Sequence, residues 1–430
     1  MTTEFLGKRL SGPFTIPSGI VTTAPAIIQR VMDTVPEIGV ITTKSIGFEP
    51  RSGNREPVYS QYAPGCFVNA VGLTNPGVDE ALEGLRRLNV PADRFLLVSI
   101  FGGSVEEFVA VARKLAPVAD GLELNLSCPH AQGYGMAMGQ DPELVQEVVA
   151  AVCAAVDVPV IPKLTPNVDD IAVIGRAALK GGAAALCAIN TAGPGYTESH
   201  GQPVLSNGMG GMSGKGVLPT ALKALKALRQ DTDVPLIGCG GLSSAEDCRA
   251  AARCGANILG IGSGLTGMDS EDMRRYFSDL ARDLAEGTNE ASRQIRFDID
   301  MDFKPYQVVE NEIVCEDITV VTLDGDLDIR AGEYVFVWVP GVGEKPFSCL
   351  THDPVRLAVI NVGPFTDHCY QLSPGDTVYL RGPHGVAVAP PEDTHIVCVA
   401  GGTGLAAVYQ IAEDFGSPER PADIFVGART

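Results

Sequence analysis

None of the 11 cysteines in this 430-residue chain stands in a Cys-x-x-Cys pair, so a compact zinc or iron-sulfur site is not encoded here. Eleven are also too few for a disulfide scaffold at this length. No stretch approaches the roughly 18 apolar residues of a membrane span. The N-terminus, Met1-Thr-Thr-Glu-Phe-Leu-Gly-Lys, lacks the apolar core of a signal peptide. A cytoplasmic protein without membrane association is expected. Basic residues are scarce: 32 Lys and Arg face 52 Asp and Glu, a formal net charge of -20. Such a field repels phosphate backbones and anionic lipid, which argues against a nucleic-acid partner. The acidic excess is spread along the chain, and no block of like charge reads as a disordered tail. The length suggests two or three domains, with ample chain for a large core.

What is present is a repeat. From Gly12 to about Leu284 a short apolar run of β type is followed by a longer segment with helical spacing, eight times over, the rhythm of a (β/α)8 TIM barrel. The runs are Phe14 to Pro17, Val40 to Thr43, Phe95 to Ile100, Gly121 to Leu126, Val158 to Lys163, Ala184 to Ile189, Val234 to Gly238 and Ile258 to Ile261. Barrel enzymes carry their chemistry at the C-terminal ends of the strands. Those ends read Ser18, Lys44-Ser45, Ser99, Asn125-Leu-Ser-Cys128, Lys163, Asn190-Thr191, Gly240-Gly241 and Gly262-Ser263. Cys153, Cys187, Cys239 and Cys254 sit among Ala, Val, Ile and Gly and read as small buried hydrophobes.

Past the polar stretch from Glu286 to Arg296 the spacing changes to short alternating runs, Ile313 to Leu323, Tyr334 to Val339, Val355 to Asn361 and Thr377 to Arg381. They predict a small antiparallel β-barrel. Ile396-Val-Cys-Val-Ala-Gly-Gly-Thr-Gly-Leu then reads as a strand, a glycine turn and a helix, and Ile424-Phe-Val-Gly as a second strand. Three regions are therefore expected: a TIM-barrel domain over 1-290, a small antiparallel β-barrel over 303-392, and the start of a nucleotide-binding lobe over 393-430. Two strands make no viable lobe, so the sequence is expected to be cut short or completed by another chain.

Glycines at Gly210-Gly-Met-Ser-Gly214, Gly240-Gly241 and Gly262-Ser263 predict an anion cradle late in the barrel, where such folds bind phosphate. Lys44 and Lys163 point into the same mouth and call for an anionic partner, such as a reduced flavin. These residues resemble the class 1 dihydroorotate dehydrogenases over nearly all of residues 1 to 285. The matching pieces are Pro17-Ser18-Gly19, Thr43-Lys44-Ser45, Glu49-Pro50-Arg51-x-Gly53-Asn54, Asn69-Ala-Val-Gly-Leu73-x-Asn75-Pro76-Gly77, Asn125-Leu-Ser-Cys-Pro129, Lys163-Leu-x-Pro166-Asn167, Ile189-Asn-Thr191 and Gly211-Met-Ser-Gly214. The resemblance implies that Ser18, Lys44, Ser45, Asn125, Lys163, Ile189, Gly214, Gly240, Gly241, Gly262 and Ser263 contact FMN. It implies that Lys44, Asn69, Ala70, Val71, Gly72, Leu73, Asn125, Asn190 and Thr191 hold dihydroorotate or orotate, and that Cys128 is the catalytic base. The flavin contact made by asparagine in the family's third strand falls on Ser99. A homodimer is implied as well.

The chemistry agrees with that resemblance: a proton leaves C5 of the substrate on one side while hydride leaves C6 for the flavin on the other. A thiol, ordinarily near pKa 8.5, can serve as the base. One departure is His130 where many relatives have asparagine, which makes it either a substrate ligand or a loop histidine. The Ser-Cys-Pro-His form also occurs in dihydropyrimidine dehydrogenases, so uracil or thymine reduction is the alternative activity. From about residue 303 the chain resembles the ferredoxin-reductase-like electron-transfer subunit that partners class 1B dihydroorotate dehydrogenases, through Lys345-Pro-Phe-Ser348, Gly375-Asp376, Arg381-Gly-Pro-x-Gly385 and Gly401-Gly-Thr-Gly404. That likeness implies FAD held by Lys345, Pro346, Phe347 and Ser348, with lysine in place of the family's arginine. It implies NAD as final acceptor and a 2Fe-2S centre whose cysteines are not encoded before Thr430.

Overall fold

The computed structural model describes residues 3–126, 136–290, 300–391, 394–402 and 404–427. They divide into two compact units, one of residues 1–54, 58–197 and 207–299, the other of residues 55–57, 198–206 and 300–430.

In the first unit eight parallel strands close into a barrel: Phe14–Ile16, Ile38–Thr42, Phe95–Ile100, Gly121–Asn125, Val160–Leu164, Leu186–Ala188, Leu236–Cys239 and Ile258–Gly260. Each of the eight sequence runs overlaps one of them, the strand starting two residues earlier than the run at Ile38 and ending one residue later at Leu164 and at Cys239. The ring shuts where Leu259 pairs with Phe14. Because alternate side chains of a strand face opposite sides, each strand feeds two cores. Leu96, Val98, Leu122, Leu124, Val160, Leu164 and Leu186 pack outward with the helices. Leu97, Ile161, Cys187, Ile237 and Cys239 pack inward, joined by Phe5 and Leu10 of the N-terminal hairpin. Phe5 meets Phe95 edge to face, ring centres 5.3 Å apart. A fully buried side chain of this size contributes about 1.5–3 kcal/mol. The same alternation decides which polar residues enter the barrel. Ser99, Glu123, Asn125 and Lys163 share the inward parity of Leu97 and Ile161, one step nearer the C-terminal ends.

Several helices begin where a side chain satisfies their first N–H groups: Ser104 accepts from Glu107, Asp141 from Glu143 and Leu144, and Ser244 from Asp247. Beyond the barrel strands a four-stranded antiparallel sheet joins Ala192–Gly195, Gly210–Gly214, Cys66–Asn69 and Tyr59–Ala63. The Gly210 to Gly214 stretch of the predicted cradle is thus a strand, pairing Gly211 with Asn69 and Gly214 with Cys66.

The second unit holds a seven-stranded antiparallel sheet, in the order Gly343–Phe347, Tyr334–Val339, Thr377–His384, Lys304–Cys315, Ile318–Leu323, Val355–Ile360 and Cys349–His352. Its two edge strands follow each other in the chain across Ser348, so the sheet curls back on itself around Val308, Leu323, Val335, Val337, Leu357 and Leu380. The alternating run from Ile313 to Leu323 crosses a hairpin turn, Cys315 pairing with Ile318, and goes on through the whole strand Ile318–Leu323. Val397–Gly401 and Asp423–Gly427 form a separate two-stranded parallel sheet, with the helix Gly404–Phe415 between them in the chain. Among the described residues no helix is long and apolar enough to cross a membrane.

Candidate active site

A cavity of about 380 Å³ opens at the C-terminal ends of the barrel strands, within the roughly 300–1,000 Å³ usual for cofactor sites. Its wall carries Lys44, Lys163 and Lys215 and, among the described lining residues, no Asp or Glu, so it suits an anionic ligand. One end is glycine-rich, with Gly214, Gly240, Gly241, Gly262 and Gly264. Gly241 has φ +78°, and a Cβ there would lie 2.7 Å from the Gly214 carbonyl oxygen. Only glycine lets the backbone come this close to itself and to a ligand.

The other end is lined with amides and hydroxyls. Ser99 donates its proton to Glu123 Oε1 at 2.9 Å. A hydroxyl has one proton, so across the 2.9 Å Ser45–Ser99 contact Ser45 donates. Ser45 in turn accepts from Asn125 Nδ2 and from Ser18, each at 3.0 Å. Asn125 Oδ1 accepts from Asn190 Nδ2 at 3.1 Å, and Asn190 Oδ1 accepts the Thr191 N–H at 2.8 Å. One buried carboxylate thereby sets the direction of a chain across the first four strands, and the Ser18 oxygen is left to accept from the cavity.

Lys163 is buried, with Glu123 Oε1 3.9 Å from its Nζ. Burial works against its charge, but Glu123, followed by the thiols of Cys187 and Cys239, raises its pKa above the usual lysine value. Those two sulfurs lie 3.8 Å apart. Cys187 is pushed up by its hydrogen bond to Cys239 and by burial. Lys215, half-exposed, is paired with Asp247 at 2.6 Å.

A family model described as dihydroorotate dehydrogenase matches residues 1–284. The chain belongs to that family. It is 45% identical over 263 residues to the Pyrococcus horikoshii protein named dihydroorotate dehydrogenase B (NAD(+)), catalytic subunit, covering 60% of this chain and 84% of that one. The protein of that name from Thermococcus kodakarensis is 45% identical over 292 residues, 66% of this chain and 95% of its own. The one from Methanocaldococcus jannaschii is 40% identical over 269 residues, 62% and 87%. A crystal structure of DHODH from Eimeria tenella in complex with ferulenol superposes with a TM-score of 0.57 at 17% identity, covering 69% of this chain and 87% of that one. At that identity it shows the shared fold.

Of the positions the family resemblance points to, Ser18, Lys44, Ser45, Asn125, Lys163 and Ile189 line the dehydrogenase cavity, as do Gly214, Gly240, Gly241, Gly262 and Ser263. Asn69, Val71, Gly72, Leu73, Asn190 and Thr191 line it too. Ala70 is buried away from the cavity, its N–H donating to Val58 and its carbonyl accepting from Asn54. Ser99 is also fully buried and stands behind Ser45 rather than on the cavity wall. Cys128 and His130 lie outside the described residues. In the second unit Lys345 meets the carboxylate of Glu56, and Ser348 lines a small recess with Arg330, Glu333 and Gln410.

Sequence reading passed over Tyr59, Lys215 and Ser243 on the wall and named Met212 and Ser213, also there, only as part of the Gly210 to Gly214 motif. Tyr59 lies in the antiparallel sheet, stacks on Phe67 and bonds Thr266 at 2.8 Å. Lys215 directly follows the Gly-Met-Ser-Gly motif, which was the available signal. Glu123, two residues before Asn125 and of inward parity, was equally open to the alternation argument. Cys187 and Cys239 are buried as expected, whereas Cys153 and Cys254 are only partly so. Among the described residues no group of three or more His, Cys, Asp or Glu side chains is placed to hold a metal ion.

Proposed function

We propose that the barrel oxidises dihydroorotate to orotate in pyrimidine biosynthesis, with FMN as electron acceptor and Cys128 as base. The observation that carries the reading is the meeting of three lysines, an amide cluster and a glycine-rich end in one cavity of a dihydroorotate dehydrogenase barrel. The residues fit FMN: Gly214, Gly240, Gly241, Gly262 and Ser263 would hold its phosphate, and Lys163, on the same cavity wall, would supply a positive charge to its ring. FMN, when bound, supplies the two-electron acceptor.

The chain's own groups do the rest. Lys44 receives the substrate carboxylate, while Asn69, Asn125 and Asn190 donate to and accept from the ring carbonyls and N–H groups. The bonds among Asn125, Asn190 and Thr191 fix those amides in advance, which lowers the entropy cost of alignment. Asn75 donates to the Leu73 carbonyl and accepts from Gly47 and Gly77, holding the Val71 to Leu73 loop against the cavity. Cys128 takes the C5 proton. The second unit is assigned to FAD through Lys345 to Ser348, relaying electrons towards NAD as in the B-type relatives' name. A positive charge at Lys345 supports that assignment, although Glu56 shares it.

Replacing Cys128 with Ser is expected to slow flavin reduction by dihydroorotate about 10²- to 10⁴-fold, the span of general-base catalysis, with FMN still bound. Stopped-flow bleaching of the flavin measures it, and an unchanged rate would remove Cys128 from the mechanism. Titration of the holoprotein should show orotate, and not uracil, perturbing the flavin spectrum. The dihydropyrimidine alternative requires the reverse, and the comparisons do not favour it.

A further inference from the structure

Glu123 is a carboxylate inside a barrel, only 1% exposed, and it neither holds the substrate nor takes its proton. It lies on the fourth strand, Gly121–Asn125, whose alternation sends Glu123 and Asn125 to the same side, one layer apart. The neighbouring strand is in parallel register, Asn125 opposite Lys163, and this brings Glu123 Oε1 to 3.9 Å from Lys163 Nζ. The same oxygen accepts the Ser99 hydroxyl at 2.9 Å. A carboxylate is costly in such a place unless something charged answers it. Other titratable groups facing Lys163 are the thiols of Cys187 on the sixth strand and Cys239 on the seventh, and Lys44 lines the same cavity.

We propose that Glu123 is a positioning residue that keeps the Lys163 ammonium protonated while the flavin is oxidised and uncharged, so that the cation is in place before electrons arrive. The proposal rests on the reading that this cavity holds FMN. The opposing influences on Lys163 have the required sense, burial disfavouring its charge and Glu123 restoring it.

The consequence lies in the protons. With Lys163 cationic throughout, oxidised flavin takes up two electrons and one proton to become the anionic reduced form. Without Glu123, buried Lys163 is neutral beside oxidised flavin and becomes cationic only when the flavin turns anionic. Two electrons and two protons are then consumed, one proton by the flavin and one by the amine.

The FMN-loaded protein is titrated anaerobically with dithionite against a reference dye between pH 7 and 8.5, without any pyrimidine. In the native protein the oxidised-to-reduced equilibrium should shift about tenfold per pH unit, about 30 mV for a two-electron couple. In Glu123→Gln it should shift about a hundredfold, about 60 mV, and Glu123→Asp, which keeps the charge, should return to about tenfold. A Gln variant with the native slope overturns the proposal. Should that variant not fold, a hundredfold slope in the native protein overturns it alone, because Lys163 would then be neutral beside oxidised flavin. Failure to bind FMN at all would instead strike the functional reading, so the two failures are distinct.

Discussion

At the scale of single residues the barrel interior is a problem in charge placement. Lys163 and Glu123 are both almost wholly removed from water, and breaking such a pair from one side leaves the other charge stranded. Lys163→Met keeps the side-chain length and removes the cation. The flavin-free variant is expected to lose about 3–5 kcal/mol of unfolding free energy, read from urea denaturation. Adding Glu123→Gln to it should recover much of that loss, since the two sites are in direct contact and their effects are not additive. How far these residues were legible follows from their position. Alternation along one strand is a property of the sequence, and it sends Glu123, Asn125 and Lys163 inward. That Glu123 meets Lys163, and that Ser99 stands behind Ser45, depends on the stagger between strands.

Among the elements, the glycine-rich turn after the seventh strand is the one whose backbone serves the ligand directly. Gly241 has φ +78°, and an added methyl would press on the Gly214 carbonyl and on the backbone and Cβ of Leu218. Those are rigid neighbours, so Gly241→Ala must displace the turn. Its cost is expected at about 1–3 kcal/mol of stability, accompanied by at least a tenfold weaker FMN affinity in fluorescence titration of the apoprotein. Retained affinity would separate this turn from the phosphate site. Sequence found this element because glycine pairs mark such turns. Gly210 to Gly214 adds a second use of the same composition, since it pairs as a strand with Cys66–Asn69 while Gly214 lines the cavity: glycine frees the backbone without saying what the backbone then does.

For the whole molecule, two units with separate cores are expected to unfold in more than one step, and titration labels one of them. In the second unit Glu344 is buried against Arg381, with Nε to Oε1 at 2.5 Å and Nη2 to Oε2 at 2.8 Å. Burial outweighs the arginine and pushes its carboxyl up to about 7. A carboxyl raised above its unfolded value binds more protons folded than unfolded between about pH 4.5 and 7. Its contribution is therefore full at the acid end and is lost as pH rises through about 7, on the order of 2–3 kcal/mol in all. Calorimetry across that window should show the second-unit transition falling with pH, and Glu344→Gln should flatten the trend without moving the barrel transition.

By itself the sequence determined the order and number of the barrel strands, the parity of each inward side chain and the chemical character of the mouth, since all of these repeat with the period of a local structure. The tertiary structure decided which of those side chains touch. It placed Lys215 and Tyr59 on the cavity wall, turned Ala70 away from it, split the run from Ile313 to Leu323 into a hairpin, and joined Glu123 to Lys163 and to the hydroxyls of Ser99, Ser45 and Ser18. The physical reason is distance along the chain. Hydrophobic alternation acts over a few residues and is written where it acts, whereas an ion pair or a hydroxyl chain between strands exists only after the ring has closed and its register has been set.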